Sequence, residues 1–481
     1  MKTKSSRFKQ HKPYIVWHEI AGDLETPITA SIKLREEGEP FFLLESVERG
    51  EHRGRYSIVG LEPDVVWNLE EEDIGEGVSE KTMDSFRELY KESQFELPHE
   101  LPSMAAGLIG YMSYDAIRLT EPEVTDTNPD TIGIPLGLFM RPTIMVIFDS
   151  VTSSIYIIVT VWNPEEEADA NEEAEKKIRS VIDKLKKGGV AKHYSDSEKP
   201  KLDIEFTSNF TKDEYCQMVE KAKEYIVAGD IFQVVPSQRF TADFKQSPFS
   251  FYRSLRHLNP SPYLFYLDFV DFQLIGSSPE IMVKLEDEII TNRPLAGTRK
   301  RGATREEDIA LAKDLLSDQK EISEHLMLVD LARNDVGRVA KAGTVKVTQQ
   351  MIIEYYSHVM HISSNVEGKI SDGYDALDVL FASLPVGTTS GAPKIRAMQI
   401  IDELESEKRS FYAGCVGYFS ANGMMDTCIT LRTALIKDEK LYVQVGGGVT
   451  ANSDPEAEYE ETCNKAKALI IASKRANWFD I

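Results

Sequence analysis

Residues 143–162, TIMVIFDSVTSSIYIIVTVW, decide the kind of fold this chain can adopt. Two runs of β-branched residues flank a Ser/Asp turn, which reads as an antiparallel hairpin. Strand-like runs recur before it, in PFFLLESVERG (40–50), GRYSIVGLEPDVVWNL (54–69) and SMAAGLIGYMSYDAI (103–117). They recur after it in YLFYLDF (263–269), FQLIGSS (272–278), GTVKVTQQ (343–350), MDTCITLRTALI (425–436) and KLYVQVGGG (440–448). Helical stretches lie between, at 164–189, 211–230, 304–334 and 391–405. In the first of these acids lead and bases follow, Ile178, Val181, Ile182 and Leu185 make an apolar stripe, and Gly188 closes the helix. No regular βαβ rhythm joins these elements, so an α+β fold with a mostly antiparallel sheet is expected rather than a doubly wound one. A polar stretch at 191–204 reads as a linker between an N-terminal region, 1–190, and a second region, 205–475.

Composition narrows the function. The 481 residues are 42% apolar, enough for a large core, and the net charge is −24. Such acidity argues against nucleic acid, whose phosphates call for clustered Lys and Arg. No apolar run approaches the length of a membrane span, and the basic start, MKTKSSRFKQHKPY, lacks the apolar stretch of a signal peptide, so the expected compartment is the cytoplasm. Cys216, Cys415, Cys428 and Cys463 are dispersed, which disfavours a disulfide framework or a zinc site.

Two carboxylate pairs stand out on helical segments: Glu321/Glu324 in KEISEHLMLVDLARND and Glu458/Glu461 in SDPEAEYEETCNKAKAL. Residues three apart project from one helix face, so each pair offers two carboxylates in one direction. Glu-rich helices are most often solvated faces. If the two pairs converge, their oxygen-only shell suits a hard cation, and Mg2+ is expected rather than zinc. Asp454 as cap, Pro455 in the first turn, and Glu456 and Glu458 near the positive end define where the second helix starts.

The glycine-rich segments are not nucleotide motifs. GTTSGAPK (387–394) lacks the Lys directly after the second glycine that a phosphate-binding loop needs, and VQVGGGVTA is not a dinucleotide fingerprint. Gly446, Gly447 and Gly448 at a strand end let backbone amides approach a ligand, and Arg432 offers a forked donor to a carboxylate. A substrate with two carboxylates, one on Mg2+ and one on Arg432, fits this set.

Seven segments in order, SSPE, PLAGTRKRG, EHLMLVDLARND, YSHVMH, PVGTTSGAPKIRAMQIIDELE, GCVGYFSANGMMDTCITLRT and EETCNKA, resemble the chorismate-binding enzymes over about residues 205–475. LLES and GRYSIVG resemble the regulatory half of the family's anthranilate-forming large subunits. The resemblance implies a large antiparallel β-sandwich with helices packed around it. It implies a catalytic domain at 205–475 that holds chorismate with Mg2+ on the ring carboxylate. It makes Glu321, Glu324, Glu458 and Glu461 the metal residues, with Glu324 and Glu461 in direct contact. It carries over Gly297, Thr298, Tyr412, Arg432 and Gly446 to Gly448 as chorismate contacts, Thr388 as a pocket hydroxyl, Glu280 as general acid and His361 as catalytic histidine; His325 and His358 lie nearby in sequence.

Within the resemblance two positions speak to the nucleophile. Gln233 stands where water-adding relatives carry a Lys base, and a neutral amide does not activate water in that way. Ala296 stands where many aminodeoxychorismate synthases carry a nucleophilic Lys, so direct addition of ammonia and an ortho product, anthranilate, are expected. No Cys has the surroundings of a glutaminase nucleophile, which implies a separate glutamine amidotransferase subunit. Leu44, Glu45 and Ser46, with Pro262, Tyr263 and Leu264, resemble a tryptophan feedback site; Leu264 replaces the usual Met with little change of volume. Other readings are the para-aminobenzoate branch, a non-catalytic effector-binding subunit, and a metal-dependent phosphohydrolase, which would want Asp-rich loops and phosphate-binding bases.

Overall fold

The computed structural model describes residues 12–46, 54–75, 78–163, 167–188, 202–356 and 359–480. The segment 189–201, with most of the expected linker, and the pair 357–358, with His358, lie outside the described residues. The hairpin read from 143–162 forms as expected: strand Gly137–Asp149 pairs antiparallel with Ser154–Val161, Ile144 facing Val159 and Phe148 facing Ile155. Among the described residues all the strand pairings are antiparallel, and 19 strands join into one sheet. The fold is thus α+β with a large antiparallel sheet, as the lack of a βαβ rhythm predicts.

Strands from before residue 190 and after residue 205 share that sheet. Phe41–Glu45 pairs with Tyr263–Asp268, which pairs with Phe272–Ser278, which pairs with Thr433–Lys437. Gly107–Met112 pairs with Cys415–Ser420. The alternation of side chains places apolar residues on both sheet faces, and each face packs a core. One core holds Val146, Phe251, Tyr266, Val443 and Leu469; another holds Leu108, Phe139, Leu380 and Phe419. Ile178, Val181 and Leu185 of helix Glu167–Lys186 are buried in the first core and Ile182 packs against it, the stripe its periodicity predicts.

Two sequence runs break where the site needs them to. The stretch 304–334 forms two helices, Arg305–Leu315 and Gln319–Gly337, because Asp318 caps the second through Lys320 N and Glu321 N. The break sets Glu321 in a first turn. The run 425–436 likewise forms two strands, Met425–Ile429 and Thr433–Lys437. Between them Arg432 takes a left-handed backbone, φ 48°, unusual for a residue with a Cβ.

Candidate active site

The residues expected to meet chorismate come from separate stretches of the chain, between Gln233 and Gly448. Glu280 follows strand Phe272–Ser278 and is buried; the amide of Leu295 approaches its carboxylate at 3.5 Å. Burial pushes its carboxyl up to about 8, against the smaller opposing effects of Leu295, Thr388 and Arg432. Glu280 is therefore mostly protonated at neutral pH.

His361 lies on strand Val359–Lys369, which pairs with Leu295–Lys300. Its Nδ1 is 3.0 Å from the Gly297 carbonyl and 3.0 Å from Thr298 Oγ1. Only a protonated Nδ1 can donate to that carbonyl, which leaves Nε2 with its lone pair. Burial, ahead of the favourable Gly297 bond, lowers its basicity and keeps it neutral. His325 differs: it is fully buried, its Nε2 bonds Ser364 Oγ at 2.6 Å, and burial lowers it to about 4, which marks a core residue.

The glycine turn brings three more groups together. A Cβ on Gly448 would sit 2.6 Å from Gln233 Nε2, one on Gly447 3.2 Å from Glu458 Oε2, and one on Gly446 2.8 Å from the Tyr412 hydroxyl. Only glycine allows these approaches. Gln233 is buried, and its Oε1 has no hydrogen-bond partner. Thr388 Oγ1 is another unbonded buried oxygen by strict geometry, although it lies near enough to Glu280 to favour that group's ionised form. The unpartnered oxygen of the buried Gln233 amide marks a place built to meet a polar ligand.

The two carboxylate pairs lie near enough for the charge of Glu458 to act on Glu324. Burial raises Glu324, and the charges of Glu321 and Glu458 raise it further; burial raises Glu458, with Glu461 adding to it. Glu321 Oε2 would lie 3.1 Å from a Cβ on Gly297, so the pair on helix Gln319–Gly337 borders the His361 side of the site. Basic side chains now share these carboxylates: Lys320 is 3.7 Å from Glu324, Arg299 3.4 Å from Glu321 and Lys465 2.8 Å from Glu461. Among the described residues, no three His, Cys, Asp or Glu side chains form a group that could hold a metal ion, so the four glutamates do not converge in this structure as the sequence reading expected. The donor chemistry nonetheless fits Mg2+, which takes a few carboxylate oxygens and keeps its waters, and a cation would relieve the mutual repulsion of Glu324 and Glu458.

Lys465 escaped the sequence reading. It donates to the Gly446 carbonyl at 2.9 Å and pairs with Glu461 one helical turn away, so an acid followed four residues later by a base was its available signal. Arg256 and Tyr252 also escaped it. At the second site, Glu45 is paired across strands with Leu264, beside Leu44, Ser46, Pro262 and Tyr263. Its carboxylate is buried and already held by Arg256 at 2.7 and 2.9 Å and by the Tyr252 hydroxyl at 2.6 Å. Tyr263 donates to Asp426 at 3.2 Å.

The chain belongs to the chorismate binding enzyme family, whose model residues 39–470 match. Among named relatives it is similar to anthranilate synthase component 1 of Cereibacter sphaeroides, 50% identical over 98% of this chain and 97% of that one. The Aquifex aeolicus component 1 is 48% identical over 95% and 94%. The crystal structure of anthranilate synthase component I from Streptococcus pneumoniae TIGR4 superposes with a TM-score of 0.77 at 38% identity, over 94% of this chain and 98% of that one. Among the described residues, no helix is long and apolar enough to cross a membrane.

Proposed function

We propose that this chain is the chorismate-using subunit of an anthranilate synthase, converting chorismate and ammonia to anthranilate and pyruvate in the cytoplasm. In the first step ammonia forms a C–N bond at the ring carbon ortho to the carboxylate, both ring double bonds shift by one position, and the para C–O bond breaks so that the hydroxyl leaves as water with the proton of Glu280. Loss of one ammonium proton gives the aminodeoxyisochorismate intermediate. In the second step a proton leaves the amine-bearing carbon, the ring aromatises, and the enolpyruvyl C–O bond breaks to release pyruvate. His361, neutral and tied through Nδ1, offers Nε2 to that proton.

One observation carries the choice of ammonia over water. The group nearest the glycine turn is Gln233, a buried amide whose oxygen lacks a partner. An amide oxygen orients an N–H donor but is not a base for water. Arg432 and the Gly448 amide take one substrate carboxylate, the Gly447 amide being held by Pro236 O at 3.2 Å and the Gly446 amide by the Tyr412 hydroxyl, with Gly297, Thr298 and Tyr412 lining the ring and Thr388 beside Glu280. Glu321, Glu324, Glu458 and Glu461 would hold Mg2+, which when bound supplies positive charge to the ring carboxylate.

Ammonia comes from a separate glutamine amidotransferase subunit. This fits the absence of a glutaminase-like cysteine: Cys415 and Cys428 are buried with their thiols pushed up, and Cys216 is raised as well. Tryptophan is the effector at Leu44–Ser46 and Pro262–Leu264, where its ammonium would share Glu45 with Arg256. The decisive test incubates the chain with chorismate, Mg2+ and ammonium at high pH and identifies the product by mass-resolved chromatography. Anthranilate is expected, and none from glutamine without the partner. Para-aminobenzoate or isochorismate as product would overturn the reading.

A further inference from the structure

We propose that the buried pair Arg409–Glu405 positions the ammonia side of this site, so that both are positioning residues for the reaction. The inference rests on the reading of Gln233 and Thr388 given above. Those two residues do not belong to the main sheet. The segment Gln233–Val234 forms a separate two-stranded ladder with Gly391–Ala392, and Val235 N donates to Ser390 O at 3.0 Å. So small a ladder cannot hold its place without an external anchor.

Arg409 supplies it. Its Nη1 donates to Thr389 O at 2.8 Å, one residue from Thr388, and its Nη2 donates to Val235 O at 2.5 Å, two residues from Gln233. Nε and Nη2 fork onto Glu405 at 2.5 to 3.1 Å. Glu405 Oε1 accepts from Ser237 N and Ser237 Oγ, each at 2.8 Å. The guanidinium also lies 5.5 Å from the ring centroid of Tyr412, whose hydroxyl borders Gly446, and 4.8 Å from that of Tyr114. Tyr412 leads into strand Cys415–Ser420 of the main sheet. One rigid fork therefore fixes three walls of the cleft relative to one another and to the sheet. Arg409 is 1% exposed and Glu405 6%, so neither touches solvent freely, and neither is placed to touch chorismate. Burying a charged pair is weak as a source of stability, because desolvation offsets the attraction. A planar five-donor group satisfying two backbone carbonyls at fixed angles is instead a device for precision.

The test compares Glu405→Gln and Arg409→Lys with the unaltered chain in ammonium-dependent synthesis, with thermal unfolding followed in parallel. Both substitutions keep volume and break the fork. For the folded variants we expect kcat to fall at least tenfold and KM for ammonium to rise about tenfold, with KM for chorismate within threefold, because the Arg432 end is untouched. Arg409→Lys should retain more activity than Arg409→Met, since it keeps one donor and the charge. Variants that fold and keep kcat and both KM values would overturn the proposal. So would a loss of activity that only tracks the unfolded fraction, or failure of both conservative variants to fold, since either outcome assigns the pair to stability. If the unaltered chain makes no anthranilate, the reading of the reaction fails, and the variants are then not the cause.

Discussion

Glu280→Gln is the substitution whose consequences the structure fixes most closely. Burial raises the Glu280 carboxyl from its ordinary 4.5 to about 8. At pH 7 such a group is about 90% protonated, against about 0.3% for an unperturbed one, so burial multiplies the acid form about 300-fold. Gln keeps the shape and removes the transferable proton. Loss of a general acid costs about 10²–10⁴ in rate, and the leaving group here is hydroxide, so the upper part of that range is expected for kcat. The unaltered chain should lose kcat tenfold per pH unit above about 8, the pH at which Glu280 ionises. The variant should show no such alkaline limb. Stability supplies an independent check. The folded-state value is above the unfolded one, so the stability Glu280 contributes is full below about 4.5 and is lost as pH rises through about 8. That loss is of the order of 5 kcal/mol. Glu280→Gln should therefore melt above the unaltered chain at pH 9 and near it at pH 4. Stopped-time product assays from pH 6 to 10, with calorimetric melting at both extremes, measure both. Activity above a tenth of the original in the variant, or an alkaline limb that survives it, would refute the role of Glu280 as acid.

Glu461→Ala should abolish Mg2+-dependent turnover and weaken Mn2+ binding, read by electron paramagnetic resonance, at least tenfold with circular dichroism unchanged; an active variant removes Glu461 from the metal site. Arg432→Lys should raise KM for chorismate about a hundredfold with a smaller effect on kcat, because a point charge replaces a fork on a ground-state carboxylate; an unchanged KM places that carboxylate elsewhere. Glu45→Gln should weaken tryptophan binding at least tenfold by calorimetry without moving KM for chorismate. In the unaltered chain, chorismate and tryptophan should weaken each other by one common factor, and indifference of either to the other refutes the coupling.

The sheet links those two sites. Glu45 pairs with Leu264, Tyr263 pairs with Ser278, and Ser278 lies two residues before Glu280. Ser277 N donates to Arg432 O at 3.2 Å. A shift of the strand Tyr263–Asp268 against its neighbour thus has a short physical path to the acid and to the carboxylate fork, a route the Glu45 experiments probe.

Local pattern and residue type determined a good deal here. The β-branched runs around a Ser/Asp turn predict the antiparallel hairpin at 143–162, and the cap at Asp454 starts its helix as expected. These are nearest-neighbour properties of the chain, dictated by backbone geometry and short-range sterics. The sequence also offers Glu280 and Gln233 as residue types. Only the tertiary structure decided what they do. A carboxyl becomes an acid at pH 7 because residues from distant stretches remove its water, and the Gln233 amide is buried because folding brings the glycine turn against its nitrogen. The clasp of Arg256 on Glu45 and the bonds of Arg409 to Val235 and Thr389 have the same origin. Each depends on groups far apart in the chain whose desolvation and hydrogen bonding exist only once the sheet has closed around them.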